Sequence, residues 1–118
     1  MPRVRRGHNK IQRRKKIMRL AKGYYGAKGR LYRSAKEQVE RSLQFSYIGR
    51  KLKKRDFRRL WIVRINALCR QNDISYSRFM DGLKRADIKL DRKSLADLAL
   101  TDPAAFGGLV DQAKKALS

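Results

Sequence analysis

The residues in this chain best suited to binding chemistry are cations and tyrosines, and they are densest in AKGYYGAKGRLYR, residues 21–33. Three glycines at a spacing of three stand among Tyr24, Tyr25, Tyr32 and four cations, Lys22, Lys28, Arg30 and Arg33, with no carboxylate in the stretch. Glycine weakens a helix, exposed tyrosine favours association, and uncompensated cations repel one another. Such a segment makes physical sense against a polyanion. Gly23, Gly26 and Gly29 let the backbone turn and approach a phosphate chain closely, the tyrosines offer flat faces to unpaired bases or hydroxyls to ribose and phosphate, and the cations neutralise neighbouring phosphates. The competing reading for Tyr24 and Tyr25 is packing against a neighbouring helix; one tyrosine in each role satisfies both.

No comparable constellation exists for catalysis. His8 is the only histidine and Cys69 the only cysteine, too few and too far apart in sequence to suggest a four-ligand zinc site, and a Cys–His nucleophile pair would need His8 to leave its basic surroundings. Cys69 follows Leu68 in an apolar stripe and reads as a small buried hydrophobe. Asp87, Asp91 and Asp97 could be paired as acid and base, but Asp91 stands where a helix cap is needed and the others fit a solvated face. GYYGAKGR lacks the GK[ST] ending of a nucleotide-binding loop. The expectation is a protein that is not an enzyme, with no catalytic residue, no metal and no cofactor.

The cationic signal continues on both sides of the glycine stretch. Arg3, Arg5, Arg6, His8 and Lys10 precede a cluster of Arg13, Arg14, Lys15, Lys16 and Arg19, and no acid occurs before Glu37. Further on, Arg50, Lys51, Lys53, Lys54, Arg55, Arg58 and Arg59 make up seven of the ten residues 50–59. The formal charge is +22, of which the first sixty residues carry +19. Solubility needs a net charge of only about 2 to 8, so the excess reads as a nucleic-acid footprint. A DNA-compacting protein would share this charge and differ in binding duplex DNA as well as structured RNA. A membrane-active basic helix would need a wide apolar face, which residues 50–59 lack, and the richest apolar run, LWIV at 60–63, ends at Arg64. IMRLAKG breaks off before a signal-peptide core forms, and the first serine, Ser34, comes late for a mitochondrial transit peptide.

These side chains need elements to hold them. Residues 1–8 lack periodicity and read as a tail; Asn9 can cap a short helix to about Ala21, which Gly23 stops. Leu31, Ala35 and Val39 open a helical pattern from about Arg30, with opposite charges four apart at Arg33/Glu37, Lys36/Glu40 and Glu37/Arg41. Phe57, Trp61, Ile65 and Leu68 continue it to about Gln71, a helix of about 40 residues and roughly 60 Å. Trp61 is expected in the core. Like-charge pairs such as Arg50/Lys54 and Arg55/Arg59 each cost about 0.2 to 0.5 kcal/mol, so this helix should fray without its partner. Ser75, Asp91 and Asp102, the last followed by Pro103, punctuate three more helices carrying Phe79 and Leu83, Leu95 and Leu98, and Phe106, Leu109, Val110, Ala113 and Leu117. The fold class is all-α: a long basic N-terminal helical extension, residues 1–59, plus a small globular helical C-terminal domain, residues 60–118.

AKGYYGAKGRLYR, the opening RVRRG, and FRRLWIVRINALCRQNDISYSRFMDGLKRADIKLDRKSLADLAL together resemble the bacterial large-subunit ribosomal protein L20 (bL20) family over essentially the whole chain, with GYYGA, LWIxRINA and ISYSxF the most specific motifs. The resemblance implies a cytoplasmic structural constituent of the large ribosomal subunit, bound directly to 23S rRNA and beside other large-subunit ribosomal proteins. It implies a basic helical extension threaded between rRNA helices, a small helical domain on the subunit surface, a role early in assembly, and in some members repression of translation through their own messenger RNA. By motif match the arm cations, Tyr24 and Tyr25 would be rRNA contacts; no homo-oligomer and no membrane partner is implied. Cys69 and the Gly107-Gly108 pair depart from the family pattern in the core.

Overall fold

The computed structural model describes residues 7–118; Arg3, Arg5, Arg6 and the expected tail to residue 6 lie outside the described residues. The elements are α1 (His8–Leu20), α2 (Ala27–Arg30), α3 (Tyr32–Gln71), α4 (Tyr76–Arg85), α5 (Arg92–Thr101) and α6 (Pro103–Leu117). No strand occurs among the described residues, and the all-α expectation holds. The chain divides into two compact units, Met1–Lys51 and Leu52–Ser118.

In the first unit α1 begins at His8, not after Asn9. Gly7, extended at φ −67° and ψ 152°, precedes it without any side-chain cap, and its carbonyl accepts from the Lys10 N–H at 3.2 Å. Asn9 therefore lies inside the first turn and does not cap. The apolar residues of α1 are few, as its sequence indicates, and none within the helix is fully buried. Ile17 and Met18 instead pack against a miniature core of Ala21, Ala35 and Val39. Of the three opposite-charge pairs expected early in α3, one forms, Arg41 to Glu37 at 3.8 Å.

The second unit holds the principal core: Ile65 and Cys69 from the end of α3, then Ile74, Phe79, Leu83, Leu95, Ala96, Ala99, Phe106, Val110 and Ala113. Phe79 and Phe106 meet with ring centroids 5.1 Å apart at its centre. All three expected caps form. Ser75 Oγ accepts from the Arg78 N–H at 3.4 Å, Asp91 Oδ1 from the Ser94 N–H at 2.8 Å, and Asp102 Oδ1 from the Ala105 N–H at 3.0 Å, with Pro103 in the first turn of α6. α6 packs most extensively on α4 and also on α5. Gly82 is the point of closest approach: a Cβ there would sit 2.6 Å from the Ala113 carbonyl oxygen. Trp61 is half-buried, with one face on this core.

Candidate nucleic-acid interface

The glycine stretch is a built turn. After α1, Gly23 takes φ +90° and Gly26 φ +60°, left-handed conformations in which a side chain is strained. Between them Tyr24 and Tyr25 part company. Tyr24 folds back on the Ala21–Ala35–Val39 cluster, and its hydroxyl donates to Ser42 Oγ at 3.0 Å, which donates in turn to the Gln38 carbonyl at 2.8 Å. Tyr25 points away and is 95% exposed. Among the described residues none hydrogen-bonds or stacks on its ring.

Gly29 behaves differently from the other two glycines. It lies in α2, and a Cβ there would stand 2.6 Å from the Tyr24 carbonyl oxygen. Its lack of a side chain is required by that contact within the chain, a reason for glycine that is independent of any approach to phosphate. Tyr32 is also engaged: the Arg14 guanidinium lies over its ring, 4.7 Å from the centroid, a cation–π contact joining α1 to the start of α3. Serine and glycine patterns alone give no signal for the Tyr24–Ser42 bond, since the two residues are eighteen positions apart.

Around this turn the described cations are exposed, Arg14 among them despite its contact with Tyr32. His8, Lys10, Arg13, Arg14, Lys15, Lys16 and Arg19 on α1 are exposed, as are Lys22, Lys28, Arg30 and Arg33. On α3, Arg50, Lys51, Lys53, Lys54, Arg55, Arg58 and Arg59 are exposed as well. Among the described members of this set only Arg59 reaches a carboxylate, Asp56 at 4.0 Å. Others touch neutral groups: Arg50 donates to Ser46 Oγ at 2.6 Å, His8 and Gln12 approach to 3.4 Å, and Lys51 Nζ lies 5.3 Å from the Tyr47 ring centroid. Charges left without internal partners keep their full attraction for an external polyanion. Beyond α3, acids are paired to bases at Asp81–Arg85 and Asp87–Lys89.

Cys69 is fully buried, and burial pushes its thiol up to about 11, so it stays protonated and inert. Among the described residues no cluster of His, Cys, Asp and Glu could hold a metal ion, and no helix is long and apolar enough to cross a membrane.

The family model for ribosomal protein L20 matches residues 3–109, taking in the glycine turn, α3 and most of the C-terminal core. The chain belongs to the ribosomal protein L20 family. It is 57% identical over 117 residues to the large ribosomal subunit protein bL20 of Natranaerobius thermophilus, covering 99% of this chain and 100% of that protein. It is 55% identical over 118 residues to the large ribosomal subunit protein bL20 of Clostridium botulinum, covering 100% of this chain and 99% of the relative. Ribosomal protein L20 is a structural protein and not an enzyme.

Proposed function

We propose that this protein is a structural constituent of the large ribosomal subunit, working in the cytoplasm, and that it binds 23S rRNA directly through residues 1–59. The observation that carries this reading is the surface of α1, the glycine turn and α3, where the described cations stand largely exposed and, Arg41 and Arg59 apart, without carboxylate partners among the described residues, while Tyr25 projects from a turn fixed by Gly23 and Gly26. Packed RNA helices repel one another through their phosphates. A cationic arm lying between them neutralises that repulsion locally and fixes their relative geometry, so the protein acts as a clamp early in subunit assembly. Residues 60–118 form the globular part, whose surface is available to neighbouring ribosomal proteins. A segment of its own messenger RNA with similar phosphate geometry would compete for the same cations, the physical route to translational self-repression.

A salt titration against one 23S rRNA fragment tests the reading. Lys22→Ala and Lys28→Ala should each weaken binding and lower the magnitude of the log-affinity against log-salt slope by roughly 0.7 to 0.9. Tyr25→Leu should lose about 1 to 3 kcal/mol of affinity with the slope unchanged, because stacking releases no counterions. If both lysine variants keep the parent's slope, the glycine turn is not a phosphate contact.

A further inference from the structure

Phe57 and Trp61 lie one helical turn apart on α3, with ring centroids 6.3 Å apart and planes tilted by 36°. Trp61 has one face on the core, whereas Phe57 is 44% exposed although its spacing placed it in the apolar stripe. Together they floor an open groove of about 560 Å³ whose remaining walls are Lys53, Lys54, Arg58 and, from α5, Lys93. Lys53 Nζ stands 5.9 Å from the Phe57 ring centroid. Four cations around an aromatic floor, with no carboxylate in the lining, is an unusual surface for an apolar protein partner and a complementary one for a nucleotide, whose flat base and anionic phosphate need both features at once. Immediately beyond Trp61 the surface becomes mixed in charge, with Asp91 and Asp97 beside Arg64 and Lys93.

We infer that this groove is a binding site for one unpaired RNA nucleotide, its base stacked on Phe57 and Trp61 and its flanking phosphates held by Lys53, Lys54, Arg58 and Lys93. A paired base has both faces covered by its neighbours in the stack and cannot reach the floor, so the site selects a bulged or looped-out nucleotide over continuous duplex. The inference deepens the RNA-binding role proposed above and rests on it. It also gives α5 a contact through Lys93, outside the basic extension.

Trp61 is the only tryptophan, so its emission in the full-length protein reports occupancy of the groove. Single-stranded oligouridylate, whose bases stack weakly on one another, should quench it, whereas an abasic oligonucleotide of equal length, a blunt RNA duplex and polyglutamate of equal charge should not. Phe57→Ala should weaken oligouridylate binding by roughly five- to 150-fold and leave duplex affinity and the melting temperature near those of the parent. Lys93→Gln should lower the salt slope for oligouridylate by roughly 0.7 with the quenching retained. Equal quenching by the abasic strand would make the groove a phosphate channel, and quenching by polyglutamate an acidic-protein site; either result overturns the inference. If the protein binds duplex rRNA but oligouridylate leaves Trp61 unchanged, the groove inference fails and the broader RNA-binding role stands. If no RNA binds, both fail together.

Discussion

Gly82 and Gly108 are both helical glycines, yet their surroundings set opposite expectations. A methyl group on Gly82 would meet the Ala113 carbonyl oxygen at 2.6 Å and the Ala113 Cβ at 2.8 Å, so α4 and α6 would have to separate. Gly82→Ala should cost about 1 to 3 kcal/mol, the usual range for overpacking. Gly108 faces open space within 4 Å, and alanine there removes only backbone freedom from the unfolded chain. Gly108→Ala should therefore stabilise by roughly 0.5 to 1 kcal/mol. Thermal melts of the two variants check the sign as well as the size. Cys69 supplies a pH test. Its buried thiol ionises only near pH 11, above the ordinary value of 9.0, so the unfolded chain loses this proton first as pH rises. Folding stability from this group is intact below about pH 9 and falls between about 9 and 11. Cys69→Ala should flatten that part of the stability profile, measured by denaturant melts across the range.

The helices differ in what holds them. α4, α5 and α6 each begin with a side-chain cap and bury a face in a shared core, so their local signals and tertiary contacts agree. α3 is continuous from Tyr32 to Gln71, but every side chain from Leu43 to Leu60 is exposed. Seven cations in residues 50–59 repel at helical spacing with one weak internal pair, Asp56–Arg59 at 4.0 Å. With little apolar burial to offset ordering entropy, this segment should depend on a counter-charge for its stability. Trypsin should cut the RNA-free protein between Arg50 and Arg59 and leave a resistant C-terminal fragment, and bound rRNA should suppress the cleavage. Equal resistance with and without RNA would show that α3 is stable alone.

The unit Leu52–Ser118 has its own core and punctuation, and should fold as an isolated fragment of modest stability. Its anchor is Phe106, fully buried against Phe79, more than the half-buried Trp61. Phe106→Ala should cost on the order of 3 to 5 kcal/mol, close to the whole margin of so small a domain, and leave the fragment largely unfolded in a denaturant titration. The first unit has no such reserve. Its core is Ala21, Ala35 and Val39 with Tyr24, Ile17 and Met18 around them, an area too small to order a long cationic chain without help. The two units thus differ in buried apolar surface, and the first is the one expected to need a partner to become ordered.

Charge, composition and short-range pattern are properties of neighbouring residues, and they were enough to establish the polyanion-binding character, the all-α class, the three capped helices and the burial of Cys69. The resemblance carried by GYYGA, LWIxRINA and ISYSxF was likewise written in linear order. Contacts between distant positions were not legible. Nothing local distinguishes Tyr24 from Tyr25, and it is Ser42 and Val39 of α3 that turn the first inward and leave the second exposed. Gly29 and Gly82 carry no signal until a carbonyl oxygen from elsewhere stands where a Cβ would go. Asn9 had the right chemistry for a cap, but the extended Gly7 started the helix ahead of it. Lys93 joins Phe57 and Trp61 only when the chain returns through α5. Helical periodicity fixes which side chains share a face, whereas what covers that face depends on residues that only folding brings near.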